Sequence, residues 1–325
     1  MAAIRGFGVA LLLFFALGLH GAPAAAESLP DAVKRVDAKY LNVPEIERGD
    51  SAPKIEAGGG EDTPPSPQEI SQGPIKAALT YVESKSEDGD MSYEPVVTVF
   101  ADGKEVAKLE SGAVGYGDPP DSVQIAELDP GNPHPEVVVS FFTGGAHCCS
   151  DTNVVVSNAD GSSWSTLEVG EFDGGPMLTV DLDGDGRYEF ETRDNAFLYT
   201  FACYACSTAP LQVLAIENGA VKDVSAEPRF RKEHEATLKY MVENAPEDDV
   251  NGFLASYVGE KSLLGESKEA WDVMLAHYDK GSTWGLEACS QELDDDGECP
   301  GQTVMLSFPE ALERMLKESG YTVEE

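Results

Sequence analysis

Apolar residues come in short strand-like runs through the middle of the chain and at helical spacing towards its C-terminal end. Val96-Val97-Thr98-Val99-Phe100 and Glu105-Val106-Ala107-Lys108-Leu109 flank Asp102-Gly103, a pair that tolerates left-handed backbone, and so predict a hairpin. Val154-Val155-Val156-Ser157, a turn at Asn158-Ala159-Asp160-Gly161 and Trp164 to Val169 predict a second. Leu211 to Ile216, Glu217-Asn218-Gly219 and Val221 to Val224 predict a third. Glu136-Val137-Val138-Val139-Ser140-Phe141-Phe142 is apolar almost without a break and reads as a buried strand. From Arg229 the period changes. Leu238, Met241 and Val242 share one face of a helix over Lys232 to Asn244. Ser267 caps a helix bearing Trp271, Met274, Leu275 and Tyr278 and stopped by Gly281. Ser307-Phe308-Pro309-Glu310 opens a last helix through Leu312, Met315 and Leu316, which Gly320 ends.

The N-terminal part lacks such patterning. Arg5, the apolar stretch Val9 to Leu19 and the small residues Ala24-Ala25-Ala26 before Glu27 read as a secretory leader. That stretch is too short for a stable membrane span, and nothing later in the chain is apolar for long enough. Residues 27–74 contain Gly58-Gly59-Gly60 and Pro64-Pro65-Ser66-Pro67 and predict a disordered linker, apart from a short helix around Asp31 to Tyr40. The expected plan is therefore a leader over 1–26, a linker over 27–74, a β domain over 75–226 and a helical C-terminal subdomain over 227–325, an α+β protein.

Charge and cysteines add two constraints. The formal charge is −37, a field that repels nucleic acid and anionic membrane and attracts divalent cations. Six cysteines, Cys148, Cys149, Cys203, Cys206, Cys289 and Cys299, form an even set in an exported chain, where disulfides are the default.

The strongest chemical signal is Asp181-Leu182-Asp183-Gly184-Asp185-Gly186-Arg187-Tyr188-Glu189. Alternating carboxylates in a tight loop can converge on one hard cation, which takes about six to eight oxygens. Asp181, Asp183, Asp185, the carbonyl of Arg187 and Glu189 are the candidate calcium ligands, and Gly186 supplies the sharp turn. Thr192 stands where an EF-hand has its closing Glu, so this is a different loop. The competing reading is a solvated acidic turn without metal. Upstream, Leu128-Asp129-Pro130-Gly131-Asn132-Pro133-His134-Pro135-Glu136 is an altered copy, with Asn132 in a carboxylate's place.

These two loop-led units resemble FG-GAP or VCBS-type repeats, as in the integrin α-subunit head. The resemblance implies propeller-blade-like β units with calcium in an interstrand loop, bound by the same residues of the second copy. Two clear units are too few to close a ring. Gly144-Gly145-Ala146-His147-Cys148-Cys149 also resembles a segment of uncharacterised exported bacterial proteins. Each cysteine cluster follows its loop at a similar offset, so neighbouring units would let Cys148 and Cys149 bond Cys203 and Cys206, in unknown order. Cys203-Tyr204-Ala205-Cys206 also has the spacing of a redox motif, and His147 with the four clustered cysteines could hold zinc. Cys289 and Cys299 would close the acidic loop containing Asp294, Asp296 and Glu298.

The chain thus reads as an exported, periplasmic or secreted, calcium-stabilised binding or scaffold protein without an enzymatic activity. Its expected partner is a protein or an envelope glycan. The alternatives are a periplasmic thiol-disulfide oxidoreductase using Cys203 and Cys206, or an envelope hydrolase whose acids the sequence does not single out.

Overall fold

The computed structural model describes residues 27–46, 49, 51–57, 65–85, 91–111, 121–144, 148–173, 177–291, 294, 296 and 298–323. The leader region lies outside this set, as do His147 and Gly58-Gly59-Gly60. Part of the expected linker is folded. Helix α1 (Leu29–Asp37) starts at Ser28, whose hydroxyl accepts the Asp31 amide, and it buries Leu29, Ala32, Val33 and Asp37 on one face. Strands β1 (Lys54–Ala57) and β2 (Gln68–Gln72) follow within the same stretch.

Three four-strand antiparallel meanders succeed one another. The first joins β2 to β3 (Ile75–Lys85), β4 (Met91–Ala101) and β5 (Lys104–Glu110). The second comprises β6 (Asp121–Ala126), β7 (Glu136–Phe142), β8 (Ser150–Ser157) and β9 (Trp164–Phe172), with β1 added beside β6. The third is β10 (Leu178–Val180), β11 (Glu189–Arg193), β12 (Leu211–Glu217) and β13 (Ala220–Asp223). Left-handed Asp102-Gly103 and Asn218-Gly219 turn two of the hairpins, a conformation that Gly and Asn adopt at little steric cost.

Side-chain alternation shows how the sheets stack. Val137, Val139 and Phe141 of β7 pack with Ile75, Leu79, Val97 and Val99 of the first meander. Val138, from the opposite face of the same strand, joins Phe190, Leu214 and Ile216 of the third. Covered on both faces, β7 is buried at every position, which explains its unbroken apolar run. Leu211, Val213 and Ala215 point the other way and pack with Val224 and Phe230, beside the helices.

The C-terminal part contains α2 (Arg231–Glu243), α3 (Val250–Leu263), α4 (Ser267–His277), a short hairpin of β14 (Glu287–Cys289) and β15 (Thr303–Met305), and α5 (Phe308–Glu318). Leu238, Met241, Val242, Trp271, Met274, Leu312, Met315 and Leu316 are buried, whereas Leu275 is exposed because α4 turns it away from the core. α4 stops at extended Tyr278, before Gly281. α5 opens with a capping box between Ser307 and Glu310. α3 is buried from Val250 through Lys261 and has no solvent face. Its glycines permit close approach: a Cβ on Gly259 would lie 2.8 Å from the Phe197 and Pro210 side chains. The helical core also takes in α1, Phe197 and Phe201, so segments more than 200 residues apart form one cluster.

The architecture is mixed α+β, antiparallel sheets followed by helices. Among the described residues the strand order gives three separate meanders and no closed ring.

Candidate metal centre

The Asp181–Glu189 loop joins β10 to β11, so its two ends are fixed by paired strands, with Val180 opposite Glu189. Its carboxylates are oriented by the loop's own amides. Asp181 Oδ1 accepts the Gly184 N–H at 2.7 Å, and Oδ2 accepts that of Gly186 at 3.1 Å. The latter contact requires the chain to curl back, which Gly184 and Gly186 allow at φ 79° and 87°. Asp183 Oδ1 accepts the Asp185 amide at 3.1 Å, and Glu189 Oε2 accepts that of Leu182 at 3.1 Å.

The outcome is a convergence of three carboxylates, Asp181, Asp183 and Glu189, with one oxygen of each within 4.8 Å of the others. Asp185 does not join it. The Asp185 carboxylate accepts both the backbone amide of Arg187, at 2.9 Å, and its Nε, at 2.8 Å. The hydrogen bonds from Arg187 lower the Asp185 pKa. Burial pushes Glu189, 2% exposed, up to about 7, and Asp183 and Asp185 add to that, against the Leu182 amide and Arg229.

Sequence reading missed Arg229. It follows the third meander, 40 residues beyond Glu189, and carries no local motif. Its Nη1 lies 3.2 Å from Asp183 Oδ2 and 3.7 Å from Glu189 Oε1, its Nε donates to Glu227, and the guanidinium covers the Phe230 ring. The donor set is all oxygen, clustered and preoriented, which suits a hard divalent cation. Arg229 shares the same negative charge, so a cation entering here would compete with it.

The altered copy is built on the same frame. Glu136 Oε2 accepts the Leu128 amide at 2.7 Å, as Glu189 Oε2 accepts that of Leu182. Glu136 then takes the Asn132 side-chain amide on Oε1 at 2.6 Å, and Asp129 accepts the amides of Gly131 and Gly219. Asn132 therefore satisfies the buried glutamate with a neutral donor, and Pro130 sits inside the turn that the Asn132 N–H closes on the Asp129 carbonyl. Burial also pushes Glu136 up to about 7, although Asn132 and two backbone amides oppose it.

The cysteines pair locally. Cys148 is bonded to Cys149, Cys203 to Cys206 and Cys289 to Cys299. The expected cross-links between the first two clusters are thus corrected. A tight turn over Tyr204–Cys206 puts the Cys203 and Cys206 Cα atoms 5.0 Å apart, within bonding range. With Cys148, Cys149, Cys203 and Cys206 so paired, no thiolate set is left for zinc. In the third disulfide loop Asp294 Oδ1 accepts the amides of Asp296 and Glu298, and these acids do not converge among the described residues.

Residues 231–320, which begin where α2 begins, match the family described as the sll0997 C-terminal domain. The probable thylakoid lumen protein sll0997 of Synechocystis sp. is 42% identical over 265 residues, spanning 80% of this chain and 77% of that protein. The uncharacterized protein y4bJ of Sinorhizobium fredii is 35% identical over 241 residues, 72% of this chain but 38% of its own length. No solved structure matches. The similarity to sll0997 runs through most of both chains, well beyond the C-terminal domain, and this chain belongs to the sll0997 family.

Proposed function

We propose that this is an extracytoplasmic, calcium-stabilised binding or scaffold protein without a catalytic centre. The observation that carries the reading is the convergence of Asp181, Asp183 and Glu189, oriented by amides of their own loop. Location outside the cytoplasm is supported by the leader pattern over 1–26, by three disulfides and by a relative named as a probable thylakoid lumen protein. The matched bonds at Glu136 and Glu189 support treating the two loop-led meanders as FG-GAP-like repeats, of which only the second keeps a cation site. Bound calcium would supply positive charge that ties β10 to β11 through Asp181, Asp183 and Glu189. The titratable pair most like a catalytic dyad, His234 and Glu260, is 1% and 0% exposed and out of a substrate's reach. The stacked sheets then serve as a rigid carrier for contacts with a protein or envelope glycan.

The test is thermal unfolding in calcium and in chelator. For a site of ~0.1 mM affinity, 1 mM free calcium adds about 1.4 kcal/mol, which raises the melting temperature by roughly 2–4 °C. Asp183→Asn should abolish the shift, and Arg229→Gln should enlarge it by removing the competing charge. If calcium shifts neither the native protein nor Arg229→Gln, Arg229 is the loop's own cation and the calcium reading fails.

One observation favours a second reading, a thiol-disulfide oxidoreductase: Cys203 and Cys206 bond each other across a two-residue gap. On that reading, mild reduction should expose a thiol that reacts rapidly at neutral pH. A disulfide that survives mild reduction, or thiols with ordinary reactivity, would exclude it.

A further inference from the structure

A cavity of about 610 Å³ opens between the third meander and the helices, beside the Cys203–Cys206 turn. Its volume lies within the small-ligand range. Leu198, Met241 and the Tyr204 ring give it an apolar wall, and Tyr240, 66% exposed, stands at its rim. Two polar groups in this wall bear on what it could hold. The Ser256 hydroxyl is fully buried and has no hydrogen-bond partner, a cost that a ligand atom would relieve. The Arg193 guanidinium, at the end of β11, has no partner among the described residues. The acid in the same wall, Asp173, is already engaged, its Oδ1 accepting the Tyr204 hydroxyl at 2.8 Å. An unpaired arginine is conspicuous on a chain where Asp and Glu outnumber Lys and Arg by 59 to 22.

We propose that this cavity binds a small organic anion, with an apolar or aromatic body against Leu198, Met241 and the tyrosine rings, its carboxylate or sulfonate on Arg193 and a polar atom on Ser256. The net field of the protein repels anions, so anion capture here rests on Arg193, the one cation among the described lining residues. The proposal is independent of the calcium loop: Arg193 and Ser256 take no part in it.

The probes are two dyes of similar shape, anionic 8-anilinonaphthalene-1-sulfonate and neutral N-phenyl-1-naphthylamine, followed by fluorescence with the full chain. The anionic dye should saturate a single site. Arg193→Gln, at an exposed position, should weaken it about tenfold and leave the neutral dye unchanged. Ala236→Phe fills the cavity and should abolish binding of both dyes; if that variant misfolds by circular dichroism, Tyr240→Ala should weaken both. Absence of saturable binding of the anionic dye would overturn the proposal. So would an equal effect of Arg193→Gln on both dyes, or binding that persists in Ala236→Phe, or in Tyr240→Ala where that variant stands in.

Discussion

Asp37→Ala is expected to remove about 3–5 kcal/mol of stability, a third or more of what an ordinary domain possesses. Asp37 closes α1 and is fully buried against α3, where it accepts the Tyr257 hydroxyl and, at 2.7 Å, the Lys261 ammonium. Lys261 is 1% exposed and reaches Glu266 at 2.7 Å, which also holds Lys39 and the Tyr40 hydroxyl. Burial alone would raise the Glu266 pKa, but the hydrogen bonds from Lys261, Lys39 and Tyr40 prevail and hold it at about 2. Removing Asp37 leaves a buried ammonium with half its partners and an orphaned phenol. Chemical denaturation of the variant measures the loss. The triple change Asp37→Leu, Lys261→Met and Tyr257→Phe should recover most of it, because an apolar replacement removes the charges and their desolvation cost together. A loss below about 1 kcal/mol for Asp37→Ala would mean that α1 is not held by this network.

α1 also marks how far the sequence could be read. The hairpins at Asp102-Gly103 and Asn218-Gly219 were legible because turn residues and alternation agree locally. α2 and α5 were legible from one-sided apolar spacing. α3 was not, because Val250 through Lys261 is covered on all sides and leaves no polar face to set a period. α1 was foreseen as a short helix around Asp31 to Tyr40, but its docking was not, because its partners Tyr257 and Lys261 lie some 220 residues away. The loop carboxylates announced themselves by spacing, but their division did not. Asp185 turns to Arg187 and Arg229 enters from beyond the sheet, and both follow from the three-dimensional path. The disulfides show a limit of another kind. Similar offsets behind the two acidic loops said where the cysteines lie along the chain, whereas the tight turn at Tyr204–Cys206 decided which sulfurs meet.

The second large effect is expected at Glu260, and its signature is a dependence on pH. His234 is held between two acceptors, Glu260 Oε1 at 2.7 Å from Nδ1 and the Ser225 carbonyl at 2.8 Å from Nε2. Neither acceptor can donate, so the ring fits best as an imidazolium that donates from both nitrogens. Burial works against that charge, but Glu260, the Ser225 carbonyl and nearby Glu233 outweigh it and raise the His234 pKa above its usual value. A histidine raised on folding contributes stability that is complete below its unfolded pKa of about 6.5 and is lost as pH climbs through the folded value. Glu260 also accepts the Leu211 amide at 2.8 Å through Oε2, which ties α3 to the start of β12. In Glu260→Gln the charge is lost, and the new amide N–H can meet Nδ1 only if the ring gives up its proton there and accepts, while the amide oxygen keeps the Leu211 N–H. The variant should lose about 3 kcal/mol at pH 6, from the broken ion pair and the proton that the ring must then give up. At pH 9 the loss should be smaller, since the imidazolium's contribution fades as pH climbs through the raised His234 value. Burial-raised Glu136 and Glu189 also lower stability as pH rises between about 4.5 and 7, but they are common to both proteins and cancel in the difference. Urea unfolding of the two proteins at pH 6 and pH 9 gives the comparison. A penalty that stays constant or grows with pH would show that His234 is neutral in the fold and that Glu260 acts only as an acceptor.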